Sequence, residues 1–121
     1  WLEGDLLAPL RGRLSEGAVD VIVSNPPYIS ESDWACLEPE VRVFEPRVAL
    51  VGGERGTEFH ERLLRESREF LIPDGLLVME MGAGQATAVR QLAEQIGGYA
   101  ALRIIQDAAG IERVVMAQRL K

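Results

Sequence analysis

The sequence predicts an α/β layered fold, and three observations predict it. Short apolar, β-branched runs alternate along the chain with amphipathic ones. The run VDVIVS (residues 19–24) stops abruptly at Asn25-Pro26-Pro27, as a buried parallel strand does at its carboxyl end. Two further strand-like runs, 101–106 and 112–118, are joined through Asp107-Ala108-Ala109-Gly110. That gap is too short for a helical crossover, so the chain is expected to end in an antiparallel hairpin.

The other elements follow in order. Residues 28–56 read as irregular, punctuated by Pro39, Pro46, Gly52, Gly53 and Gly56. A connection that long inside a compact domain is usually functional. Thr57 is positioned to cap a helix running to about residue 71. Phe59, Leu63, Ser67 and Phe70 share one of its faces, flanked by Leu64 and Leu71, and charged residues fill most of the rest. Pro73-Asp74-Gly75 is expected to break the chain before a second buried strand, LLVMEM (76–81). A helix from about Gln85 should stop at Gly97-Gly98.

Composition bounds the function classes. The 121 residues suffice for one domain with a workable core. No apolar run approaches the roughly 20 residues of a membrane span, and no signal-peptide pattern is visible. Cys36 is the only cysteine, so no disulfide can form within the chain and a reducing cytoplasm is expected. With His60 the only histidine, a Cys/His zinc site cannot be built, and no metal site is expected. A net charge of −6 repels phosphate backbones, so direct nucleic-acid binding is not expected. The chain opens on Trp1 in what reads as mid-domain, so residues 1–121 are expected to be a fragment of a larger domain.

The residues that carry chemistry are Asn25-Pro26-Pro27-Tyr28. In open α/β sheets ligands bind beyond the carboxyl ends of the strands, which is where this tetrapeptide falls. The prolines lack N–H groups and fix φ, giving a stiff turn whose carbonyls meet no competing donors. Asn25 adds a side-chain acceptor, and Tyr28 a flat face for a planar group. Such a set suits a planar NH2 group. Its delocalised lone pair is a poor nucleophile until two acceptors hold its hydrogens and bias the nitrogen towards tetrahedral geometry. Methyl transfer to that nitrogen is then mostly positioning and electrostatics. Read alone, the tetrapeptide is also a common strand-ending turn.

Its surroundings extend the signal. VDVIVSNPPYIS, VRVFEPRVALVGGERG, LLVMEMGAGQ and DAAGIERVV together resemble the glutamine methyltransferase family that modifies peptide-chain release factors. The resemblance runs from Gly4-Asp5 to the last strand. Asn-Pro-Pro-Tyr is shared with adenine amino-methyltransferases of DNA, whereas Phe44-Glu45-Pro46, Ala49-Leu50 and the Gly52-Gly53…Gly56 spacing are more specific.

The resemblance implies the C-terminal half of a Rossmann-like methyltransferase fold that uses S-adenosylmethionine and acts on a release factor. It assigns the substrate amide to Asn25, Pro26, Pro27 and Tyr28, with Asn25 also beside the methyl donor. Asp5 and Leu6 match the position bordering the cofactor's adenine, and Glu45 is expected to brace the catalytic loop. The family's glycine-rich cofactor loop would precede Trp1, so weak or absent cofactor binding is expected of this chain alone. Half a sheet leaves a strand edge unpaired, which makes self-association an expectation too.

Two other readings stand beside this one: a DNA adenine methyltransferase, and a non-catalytic remnant of the fold. Glu80-Met81-Gly82-Ala83-Gly84-Gln85 imitates a cofactor loop, with Asp107 as its acidic partner, and a permuted enzyme would place it there. A strand-to-helix turn is the plainer expectation. His60 is expected on the helix surface, and Trp34 as a hydrophobic plug or part of a protein-docking surface.

Overall fold

The computed structural model describes residues 1–121. After a 3-10 turn at Ala8–Leu10, the order is β1 (Val19–Ser24), three short helices α1 (Glu31–Ala35), α2 (Pro39–Phe44) and α3 (Arg47–Leu50), then α4 (Glu58–Phe70) and β2 (Leu71–Glu80). Helix α5 (Ala86–Ile96) and the hairpin β3 (Arg103–Gln106) and β4 (Glu112–Gln118) complete it. The four strands form one sheet in the order β1-β2-β4-β3. β1 and β2 are parallel, while β4 runs antiparallel to both of its neighbours.

The core lies on one face of this sheet. Leu77 and Met79 of β2 and Val115 and Ala117 of β4 are fully buried there against Leu63, Leu64 and Phe70 of α4 and Val89 of α5. Ile22 is the only residue of β1 in that core. On the opposite face Val21 and Val23 are 48% and 74% exposed, so the expectation of a wholly buried strand is met on one side only. β1 is also an edge strand, paired on a single side.

Four expectations need correction. Residues 31–50 hold three short helices rather than irregular chain. Pro73-Asp74-Gly75 does not break the chain but lies within β2. The register slips there, the step from Val19 to Val21 facing that from Leu71 to Leu76, and Asp74 takes φ 65°. Arg119 pins this bulge, its backbone bonding Asp74 and Gly75 and its guanidinium donating to the Leu71 carbonyl.

Thr57 stands at the N-cap of α4, yet its side chain makes no capping bond, and Glu58 and Glu61 complement the helix dipole instead. His60, expected outside, is fully buried. The buried residues of α4 are 60, 63, 64, 67 and 70, a three-four spacing that starts at His60 and leaves Phe59 at the margin. Ser67 and Tyr99 satisfy each other within this core at 2.7 Å, and the Tyr99 hydroxyl also reaches the Leu64 carbonyl.

Candidate active site

Because β1 and β2 are parallel, their carboxyl ends open on the same edge of the sheet, with Ser24 beside Met79. The chain leaves β1 through Asn25-Pro26-Pro27-Tyr28 and leaves β2 through Met81-Gly82, so the two turns meet. Residues 25–29, with Ala49 and Leu50 from the end of α3, line a cavity of about 130 Å³. Pro26 is buried and anchors the turn, while Asn25 is exposed at its mouth.

The turn is held mainly through its backbone. The Ile29 N–H donates to the Leu50 carbonyl at 2.9 Å, and the Gly52 N–H returns to the Ile29 carbonyl at 2.9 Å. A Cβ on Gly52 would lie 2.4 Å from the Pro27 carbonyl oxygen, and one on Gly56 would lie 2.6 Å from that of Tyr28. Only glycine permits both approaches, and Gly56 also needs it for its φ of 88°. Glu58 closes the glycine loop by accepting from the Arg55 and Gly56 N–H groups at 2.9 and 3.0 Å.

From the other side, the Gln85 amide donates to the Tyr28 carbonyl at 2.7 Å and accepts from the Gly82 N–H at 2.8 Å. The Tyr28 phenol donates to Glu80 Oε1 at 3.0 Å. Burial, then the bond to Glu80 and its negative charge, raise the phenol above its ordinary pKa, so it remains a neutral donor. Below, His60 Nε2 lies 2.8 Å from the Glu80 carbonyl. A carbonyl only accepts, so Nε2 carries the proton. Nδ1 is then buried without a partner, and burial holds the ring's pKa below 6.5, offset in part by the Glu80 bond.

These contacts leave particular acceptors free. The Tyr28 carbonyl is taken by Gln85, whereas neither the Pro26 carbonyl nor the Asn25 side chain engages a protein donor. Of the residues singled out in the sequence, 25 to 28 come together in this pocket. Asp5, Leu6 and Glu45 do not line it. Asp5 forms a two-pronged ion pair with Arg62 at 2.9 and 3.0 Å while staying 65% exposed. Leu6 packs against the core at the left-handed φ of 49°. Glu45 is exposed, and its side chain makes no hydrogen bond or ion pair.

Sequence reasoning missed Glu80, Gln85 and Glu58 as supports. Glu80 and Gln85 stood out in the sequence only within the segment that imitates a cofactor loop, and Glu58 only on the charged face of α4. The segment that imitates a cofactor loop is committed to this support: Gln85 caps Gly82, and Asp107 is occupied by the Ala109 and Ile111 N–H groups. The strand after α5 is also an antiparallel edge strand, not the parallel partner that a dinucleotide-binding unit requires.

A crossover sheet with a pocket at the Asn-Pro-Pro-Tyr turn beyond β1 has the architecture of a Rossmann-like methyltransferase fold. Comparison with known proteins agrees. The chain is 40% identical over 118 residues to the release factor glutamine methyltransferase of Bacillus cereus, covering 98% of this chain and 41% of that protein. The enzyme of the same name from Rhodopirellula baltica is 47% identical over 100 residues, 83% of this chain and 34% of the other. The solved protein-(glutamine-N5) methyltransferase (release factor-specific) of Alicyclobacillus acidocaldarius superposes with a TM-score of 0.52 at 25% identity, over 92% of this chain and 52% of that one. No family model matches. The chain belongs to the release factor glutamine methyltransferase family, and it spans about two fifths of the length of these curated relatives.

Proposed function

We propose that residues 1–121 are the acceptor-binding part of a catalytic domain that methylates the side-chain amide of a glutamine in a peptide-chain release factor. Since the chain spans about two fifths of its relatives, the activity is proposed for the protein at their full length. One observation carries the reading: a stiff pocket of about 130 Å³ that leaves the Pro26 carbonyl and the Asn25 amide without protein donors. That volume suits a carboxamide and is well below the roughly 300–1,000 Å³ of a pocket for a drug-sized ligand.

The cofactor of this reading is S-adenosylmethionine, which supplies an electrophilic methyl group when bound. Asn25 at the pocket mouth, Leu6 as an apolar surface and Asp5 as an acceptor are the residues here that would border it. Asp5 fits because its exposed carboxylate keeps lone pairs beyond the two given to Arg62. Affinity in the chain alone is expected to be weak.

The residues on the acceptor side act as follows. The Asn25 side-chain oxygen and the Pro26 carbonyl take the two amide hydrogens. Pro27 keeps the turn rigid, and the ring of Tyr28, fixed at its phenol by Glu80 and at its backbone by Gln85, sets the amide plane. Glu45, whose side chain has no partner within these 121 residues, keeps the role of bracing the catalytic loop as part of this proposal. No base of this chain has to act before attack, since the nitrogen becomes acidic only as it is alkylated and its proton can then pass to solvent at the open pocket mouth, where Asn25 is exposed. The benefit is preorganisation: dipoles already aimed where charge develops.

A cytoplasmic location and the absence of direct nucleic-acid binding belong to the same proposal, as does self-association of the isolated chain through the free edge of β1. A tritiated-methyl assay on the full-length protein tests it, with a release factor and duplex DNA as competing acceptors. Label on a release-factor glutamine is the expected result. Label on DNA would move the assignment to the adenine methyltransferases, and label on neither would favour the non-catalytic remnant.

A further inference from the structure

From Glu38 to Ala49 every residue is exposed, including Val43 at 73% and Phe44 and Val48 at 80% each. Yet this stretch forms two helices, α2 of six residues and α3 of four, with no buried residue in either. Isolated helices shorter than about 12 residues are marginal in water. Apolar side chains displayed this openly, on elements this short, mark a surface suited to a covering partner.

Its position says what the cover is. Val48 immediately precedes Ala49 and Leu50, which line the acceptor pocket, and Leu50 is hydrogen-bonded to Ile29 within the catalytic turn. The apolar surface and the pocket wall are thus one continuous piece of chain. Charge adds a second constraint. Arg47 pairs with Glu31, and both Arg42 and Arg47 lie over the Trp34 ring at 5.8 and 5.2 Å. Both cations are therefore engaged from the Trp34 side. Glu38, Glu40 and Glu45 are exposed and take part in no ion pair, which leaves a negative rim around the apolar residues.

Resting on the function proposed above, we propose that α2 and α3 form the docking surface for the polypeptide that delivers the acceptor. The occupant is the stretch of substrate flanking the methylated glutamine, with an apolar side chain set against Phe44 and Val48 and a basic residue facing Glu38 or Glu40. Trp34 braces the arrangement from below and is not itself the contact. Docking here supplies affinity that the small pocket cannot, and directs the enzyme to a glutamine with matching flanking residues rather than to any glutamine.

Phe44→Ser and Val48→Ser in the full-length protein test this, separately and together. The readouts are thermal midpoint, KM and kcat for the intact release factor, and kcat/KM for a peptide too short to reach α2. Loss of an interface anchor of this kind is expected to raise KM for the intact factor roughly thirtyfold, leaving kcat, the midpoint and the short-peptide rate near wild type. Charge reversal at Glu40 should raise the same KM and flatten its salt dependence. If the midpoint falls instead, the surface is covered by the protein's own chain and the proposal fails. An unchanged KM overturns it equally. A wild-type protein that labels neither factor nor peptide would show that the methyltransferase reading had failed, a result distinct from both.

Discussion

The half of the molecule built from β2, α4, α5 and β4 and the half built from residues 25–56 are held by different forces. In the first, Leu63, Leu64, Phe70, Leu77, Met79 and Val115 are all at most 2% exposed, and placement follows from apolar burial. In the second, no residue of α1, α2 or α3 is buried. The Asn25–Tyr28 turn is positioned by backbone bonds, by two close glycine approaches and by three polar side chains, Glu58, Glu80 and Gln85. Burial is nondirectional, whereas hydrogen bonds and glycine contacts fix the relative positions of particular atoms. A rigid core therefore carries a site whose precision is polar, and damage to the two regions should register in different measurements.

The largest effect should come from the core. Leu64→Ala removes a fully buried side chain of α4, and about 2–5 kcal/mol of stability should go with it, read as a lower denaturation midpoint by circular dichroism. Turnover per folded molecule should be nearly unchanged. A large fall in that turnover would erase the distinction between the regions.

Asn25→Ala should do the reverse. Its side chain is exposed and bonds nothing in the protein, so stability should hardly move. Single-turnover methylation by the full-length protein should drop roughly 100- to 1,000-fold. A rate within about threefold of wild type would leave Asn25 as a turn residue only. Asn25→Asp keeps an acceptor in place and should recover little of the rate, because it adds a charge beside the donor.

Gly52→Ala sits on the boundary between the two. A methyl 2.4 Å from the Pro27 carbonyl must displace backbone, costing roughly 1–3 kcal/mol as overpacking does. Moving the turn by even about 1 Å should slow methylation by up to about 100-fold. Loss of stability without loss of rate would show that the glycine loop does not set the turn.

The smallest effect is a pH dependence seated in the core. His60 is buried and its pKa lies below the ordinary 6.5, so in acid the unfolded chain takes up a proton that the folded chain refuses. Stability from this group is complete above pH 6.5 and should decline as pH falls towards the folded-state value. His60→Gln, which keeps a donor for the Glu80 carbonyl, should flatten that slope in urea titrations between pH 7 and 5. An unaltered slope would assign the pH dependence to other groups.

The sequence by itself determined the elements whose causes are local. β1 and β4 match their β-branched runs, α5 ends at Gly97 in the left-handed region, and the hairpin follows from a connection too short to cross over. The stiff turn at Asn25-Pro26-Pro27-Tyr28 was legible for the same reason, since two prolines after a strand constrain their own backbone, whereas its chemistry rested on the family resemblance of the surrounding segments. Tertiary structure alone decided what depends on residues far apart in the chain. His60 is buried because the face of α4 that meets β2 begins there, and Val21 and Val23 are bare because both long helices lie on the other side of the sheet. Pro73-Asp74-Gly75 becomes a bulge because Arg119 waits opposite it. Glu80 and Gln85 reach Tyr28 across more than fifty residues of sequence because two parallel strands end at one edge. Periodicity and local propensity carry no information about such a meeting. It exists only once the sheet has formed.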